Sequence, residues 1–217
     1  MSFKKNKYIV IKKIISSELA NFVYHYFLMK RKVVERFFDD RYISQFTNEW
    51  GVWNDTQVPQ TYSHYADIAM ETLLQKVLPI MEKHTGYKLY PAYSYARLYK
   101  KGDILKRHKD RFSCEISCTL NLGGDKWPIF LEPKKNVGLA DGKKYFEKSN
   151  NPGISINLRA GDCLVYFGQL LEHWRGEFTG ENCAQVFLHY NRQDSKGAEE
   201  NKFDRRPYLG LPQWFRK

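Results

Sequence analysis

The sequence predicts an α+β fold, mainly β, in which helices lead into a β-sandwich or jelly roll. Three observations predict it. Two stretches in the first 88 residues carry apolar side chains at helical spacing. From Leu89 onward the texture changes to short apolar segments separated by Gly, Pro and Asn turns, the pattern of a sandwich or barrel. No repeat, linker or low-complexity segment interrupts the 217 residues, so the chain reads as one domain over 1–217. A lead-in of 1–88, a core of about 89–191 and a tail of 192–217 are its parts.

The elements follow in order. Tyr8 to Ile15 (YIVIKKII) is rich in β-branched residues and predicts an opening strand. Ser16 and Ser17 offer an N-cap with Glu18 in the first turn. Leu19, Phe22, Val23, Tyr26, Val33 and Phe37 then predict an amphipathic helix from about Ser17 to Phe38. From Asp39 to Ser63 the periodicity is lost, and Trp50, Trp53, Pro59 and Tyr62 sit among polar residues as in a long ordered loop. A second helix is expected from about Tyr65 to His84, on Met70, Leu73, Leu74, Val77 and Met81. Pro79 is expected to kink it, and Gly86 stands where a left-handed cap belongs.

The β region reads as strands near Ala92–Tyr99, Ile104–Arg107, Glu115–Leu122, Trp127–Glu132, Ile154–Leu158, Cys163–Phe167 and Ala184–Tyr190. Pro133 to Pro152 is polar and rich in Lys, Gly and Asn, a surface excursion between two strands with a small hairpin of its own. In the tail, Trp214 and Phe215 are expected to pack back onto the body.

Composition sets bounds on function. A hydrophobic content of 42% with 16% aromatic residues belongs to a globular chain. No apolar run approaches the roughly 20 residues that span a bilayer, so no membrane partner is expected. The N-terminal stretch is broken by Lys12 and Lys13 and lacks a small-residue cleavage site, so no signal peptide is read. Cys114, Cys118, Cys163 and Cys183 lack C-x-x-C spacing and read as buried reduced thiols of a cytoplasmic protein. The net charge of +11 is compatible with a nucleic-acid partner or with solvated basic faces. The lysines are spread out, and the sequence leaves that choice open.

The candidate chemistry centres on RLYKKGDILKRHKD (Arg97 to Asp110), which ends in the pair His108 and Asp110. On an extended strand residues i and i+2 point to one side, so an imidazole and a carboxylate face one point. They make two-thirds of the two-His-one-carboxylate set that leaves positions open on a non-haem Fe(II). A second histidine, His173, follows 65 residues later, after a Gly-Asp turn and an apolar strand. His189, in the apolar strand QVFLHY, is the rival third ligand and is better explained as a core histidine. A hydrolytic Zn site of the same residue types is chemically open.

From about Pro91 to Tyr190 the chain resembles the Fe(II)/2-oxoglutarate-dependent oxygenases, their prolyl-4-hydroxylase-like branch in particular. The residues that carry the resemblance are Tyr99, Gly102, His108-Lys109-Asp110, Asn121 to Gly124, Gly161-Asp162, Tyr166-Phe167 and His173. The resemblance implies a double-stranded β-helix (jelly-roll, cupin-like) core with flanking N-terminal helices. It also implies an Fe(II) centre at His108, Asp110 and His173, with 2-oxoglutarate and O2 as cosubstrates and ascorbate as an accessory reductant. The activity it implies is a dioxygenase that hydroxylates a C–H bond.

The family's usual cation for the distal carboxylate of 2-oxoglutarate, at the start of the last strand, is missing. Asn182, Cys183 and Ala184 stand there. Arg175, two residues past His173 on the same parity, and Lys126, at the head of KWPIFLEP, are the substitutes, with Arg111 next in line. Tyr99 is the implied hydroxyl partner. Trp50, Trp53, Trp127 and Trp174 are candidate pocket walls. Arg111 and Glu115 could pair, orient Asp110 or line the mouth. The substrate implied by the branch is a prolyl or other peptidyl side chain; a small molecule and nucleic acid are the alternatives. So is a catalytically silent jelly-roll binding module.

Overall fold

The computed structural model of the protein describes residues 2–44, 46–134 and 149–217. A four-residue helix α1 (Phe3–Asn6) precedes strand β1 (Tyr8–Ile11), which ends four residues short of the expected strand because the chain turns at Lys12 and Lys13. Helix α2 (Ser17–Asp39) follows. Its cap is Ser16, whose hydroxyl accepts the Leu19 N–H at 3.1 Å, an arrangement that stabilises a helix end by about 1 kcal/mol. The end of the stretch read as a loop and Tyr65, the expected start of the second helix, instead form a strand the sequence does not announce, β2 (Tyr62–Tyr65). Helix α3 (Ile68–Thr85) is capped by Asp67 and ends on Gly86 at φ +72°. Both helices bury their apolar faces, through Val23, Phe27, Leu74 and Val77, in one core with Leu120, Val186 and Leu188 of the sheet. Each such side chain contributes about 1.5–3 kcal/mol on burial.

Eight strands follow: β3 (Leu89–Lys100), β4 (Leu105–His108), β5 (Ile116–Gly124), β6 (Ile129–Leu131), β7 (Ile154–Ile156), β8 (Cys163–Phe167), β9 (His173–Arg175) and β10 (Asn182–Arg192). They form two antiparallel sheets, a six-stranded one in the order β1-β8-β5-β10-β3-β2 and a four-stranded one in the order β4-β9-β6-β7. From β3 onward the chain passes back and forth between the sheets, with only β6 and β7 consecutive in one. That alternation is consistent with the expected jelly-roll core. Most of the expected surface excursion Pro133–Pro152 lies outside the described residues. Among the described residues no helix is long and apolar enough to cross a membrane. All four cysteines are free and buried, in agreement with the expectation of reduced thiols.

The tail corrects one expectation. Trp214 and Phe215 stack on each other at 4.0 Å and stay 61% and 37% exposed. Leu209 and Phe203 join the core instead, and polar bonds tie down the rest of the tail. Asp204 accepts from Arg111 and Ser113, and Arg206 pairs with the buried Glu71 at 2.8 Å. Glu115 is likewise taken, by Arg192 and Ser195, so it does not pair with Arg111.

Candidate active site

The register of β4 against β9 sets His108 directly opposite His173, which brings together two residues 65 apart in sequence. Asp110 follows β4 and is fixed by its backbone N–H, which donates to Gly168 O at 2.9 Å. Gly168 is required there, since a Cβ would come within 2.3 Å of Asp110 Oδ2 and 2.4 Å of Cys114 O. Nε2 of His108 and of His173 then lie 3.5 Å and 3.4 Å from Asp110 Oδ1, with the two rings 4.2 Å apart. Together the three residues can hold a metal ion.

The protons of this group are largely accounted for. His108 Nδ1 sits 2.7 Å from Lys106 O, and His173 Nδ1 sits 3.1 Å from Leu171 O. A carbonyl only accepts, so each Nδ1 donates, and each neutral ring turns an Nε2 lone pair toward Asp110. Burial alone would raise the Asp110 carboxyl, but positive charge and an Nε2–H on the facing rings outweigh it and hold the carboxyl well below its usual range, and a cation bound between the three groups would act in the same direction. Burial likewise disfavours a proton on His108, and Asp110 outweighs it and raises the ring's proton affinity. Three lone-pair donors facing one point favour a cation between them.

The group opens onto a cavity of about 730 Å³. Its walls include Tyr93, Tyr95, Arg97, Tyr166 and Phe187, and the segment 54–57 closes one side. The four tryptophans expected as walls do not line it. Trp53 packs on Phe38 and Tyr62, Trp50 on Phe37, Trp174 on Phe130, and Trp127 on Tyr99 and Phe178. Arg97 is the member the sequence reading missed. It is 2% exposed, pairs with Asp55, and donates to Tyr99 Oη and Gln57 Oε1, each at 3.1 Å. Gln57 in turn places Nε2 3.1 Å from His108 Nε2. The i, i+2 parity with Tyr99 was the available signal, since it puts Arg97 on the same face of β3.

The candidate anchoring residues separate sharply. Arg175 is 1% exposed and lies deeper along β9 than His173, outside the cavity lining itself. One nitrogen, Nη1, donates to Trp127 O, and the guanidinium lies 5.0 Å over the Trp127 ring. Nε and Nη2 are buried without a hydrogen-bond partner. Among the described residues no carboxylate pairs with it, and burial depresses its proton affinity. Tyr99 is fully buried nearby, its ring 4.7 Å from that of Trp127. Lys126 is exposed in the turn before β6 and does not line the cavity. Arg111 lines the mouth and is committed to Asp204 by two bonds of 2.9 Å. His189 lies outside the triad, in a second group with Asp110 and Cys114.

Fold and group together define a class, a two-sheeted β protein with a candidate His-Asp-His metal centre. No protein-family model matches the chain, and no curated protein matches it. Solved structures do. The non-haem α-ketoglutarate-dependent epimerase SnoN from nogalamycin biosynthesis is 14% identical with a TM-score of 0.61, over 88% of this chain and 80% of that one. HygX from Streptomyces hygroscopicus, with nickel and 2-oxoglutarate bound, is 14% identical with a TM-score of 0.56, over 88% and 85%. A Pseudomonas putida prolyl-4-hydroxylase is 12% identical with a TM-score of 0.52, over 88% and 95%. At these identities the likeness is one of fold.

Proposed function

We propose that the protein is an Fe(II)- and 2-oxoglutarate-dependent dioxygenase that hydroxylates a C–H bond. The observation that carries this reading is the pairing of two features on one short strand. His173 completes the ligand set, and Arg175, two residues on, is a buried cation with two unpartnered nitrogens. An unpaired buried guanidinium is costly, and a dicarboxylate held at the metal would offset that cost. The residues fit the group on both counts, in donor set and in orphaned buried nitrogens.

In this reading His108, Asp110 and His173 would hold the iron. Bound iron with 2-oxoglutarate and O2 supplies the oxidising chemistry, which converts the cosubstrate to succinate and CO2 as the substrate is hydroxylated. The chain's own residues do the rest. Lys106 O and Leu171 O hold the histidine tautomers that present Nε2. Arg175 receives the distal carboxylate, and Tyr99 supplies a hydroxyl beside it. Tyr93, Tyr95 and Phe187 enclose the substrate and limit water. The cavity accommodates a peptidyl side chain, prolyl or other, or a small molecule, and the reading takes one of these as substrate. The low-identity likeness to the prolyl-4-hydroxylase and to HygX supports the fold, while the donor set and the orphaned guanidinium support the chemistry.

The test is 2-oxoglutarate turnover to succinate in the presence of Fe(II), in the parent and in Asp110→Ala. Slow substrate-free succinate formation by the parent alone is expected. A parent that binds neither iron nor 2-oxoglutarate would overturn the reading and favour a silent binding module.

A further inference from the structure

The second group of potential ligand atoms, Asp110, Cys114 and His189, shares its carboxylate with the candidate iron centre. A hydroxyl already sits among them. Ser117 Oγ lies 2.9 Å from Asp110 Oδ2, 3.0 Å from Cys114 O and 3.1 Å from His189 Nδ1. Ser117 has one proton, and both Asp110 and the Cys114 carbonyl can only accept it. The charged carboxylate is the stronger acceptor and takes it in preference to the neutral carbonyl. With that proton spent on Asp110, the contact with His189 is a hydrogen bond when the ring carries its proton on Nδ1 and donates to Ser117. The chain of bonds runs His189 to Ser117 to Asp110 Oδ2, which leaves Asp110 Oδ1 to face His108 and His173.

The fold enforces this order. Ser117 and His189 are register partners on β5 and β10. The His189 ring is packed against Tyr93 at 4.6 Å and is 6% exposed, so it has little freedom to turn away. Cys114 is engaged elsewhere, its Sγ 3.1 Å from Tyr93 Oη. Resting on the iron-site reading above, we propose that His189 is a positioning residue, which acts through Ser117 to set the carboxylate of Asp110 for metal binding.

Groups that orient a metal ligand typically cost 10–100-fold in metal affinity when removed. The probe is Ni(II), titrated by calorimetry into the parent, His189→Phe, His189→Asn and Ser117→Ala, with thermal unfolding followed in parallel. His189→Phe keeps a ring but removes the donor, and Ser117→Ala removes the relay; each should weaken Ni(II) by roughly 10–100-fold. His189→Asn carries an amide N–H at the same number of bonds from Cβ and should stay close to the parent. If His189→Phe binds like the parent, or if the Asn and Phe variants lose affinity equally while folded, the positioning role is wrong. Should His189→Phe fail to fold, an unchanged Ser117→Ala decides against it. A parent that binds no Ni(II) would overturn the iron-site reading and this inference with it.

Discussion

Two buried arginines face opposite fates in this molecule. Arg97, at the cavity wall, has its charge answered by Asp55, with Tyr99 and Gln57 taking further hydrogens. Arg175, on the other sheet, has one bond to a backbone carbonyl and two buried nitrogens with none. The first is built into the folded chain. The second is a charge that the described protein does not answer, and such a group persists when something else answers it. The difference separates an arginine paired within the chain from one left with two buried nitrogens that no described residue meets.

The largest expected effect sharpens the metal side of this contrast. His108→Ala, Asp110→Ala and His173→Ala should each abolish detectable Ni(II) or Fe(II) binding without unfolding the chain, measured by calorimetry and thermal unfolding. His189→Ala should weaken the metal without abolishing it. Abolition in that variant, with retention in His173→Ala, would mean the third ligand is misassigned.

Next comes stability at the paired arginine. Arg97→Met leaves the Asp55 carboxylate without its cation, and burial would then raise that carboxyl. Breaking a buried pair costs about 3–5 kcal/mol, and here roughly 2–3, because Tyr95 Oη and the Gln57 N–H still bond Asp55. Urea unfolding checks it; no loss of stability would dissolve the contrast between the two arginines.

A pH effect of similar size belongs to His189. Burial holds its folded pKa down to about 4 against an ordinary 6.5, with Arg111 and His173 also opposing the charged form and Asp110 and Asp204 favouring it. The unfolded chain therefore binds the proton first as pH falls. The stability supplied by a neutral His189 is full above about pH 6.5 and is lost progressively down to about pH 4, a change of about 3 kcal/mol. Urea midpoints at pH 7 and 4.5 should show this slope in the parent and a flatter one in His189→Asn. An equal slope in both would assign the effect to another group.

The smallest effect concerns the thiols. All four should label after denaturation without prior reductant, and none before it, since each is buried. A mass indicating a native disulfide would contradict the expected reducing compartment.

How far the sequence reached depended on the range of the interaction. The pair His108 and Asp110 was legible because the two residues lie two apart in sequence, although Asp110 falls past the end of β4 and is held by Gly168 instead of by strand alternation. Arg175 was reachable by the same spacing, counted from His173. Lys126 was proposed on its place at the head of an expected strand, and that strand begins only at Ile129, which leaves Lys126 in solvent. Strand β9 was not read at all, because three residues carry no periodicity, yet its register against β4 is what joins the two histidines. Gly168 and Ser117 were invisible for a related reason. Their meaning lies in a contact with Asp110 that only the closed fold creates. The tail was misread because Trp214 and Phe215 suggested burial, whereas Leu209, Phe203, Asp204 and Arg206 do the fastening.

Whether Arg175 anchors the cosubstrate is decided by binding of 2-oxoglutarate to the Ni(II)-loaded parent, Arg175→Met and Lys126→Met, alongside the unfolding of each without ligand. Arg175→Met should lose about 2–5 kcal/mol of 2-oxoglutarate binding, roughly 30-fold or more, with Ni(II) affinity largely spared. The same variant should be as stable as the parent or more so, since a well-packed apolar side chain replaces an unanswered charge. Lys126→Met should bind like the parent. An Arg175→Met protein that binds 2-oxoglutarate as tightly as the parent, or that unfolds as readily as Arg97→Met, would mean that Arg175 is a structural arginine and not the anchor.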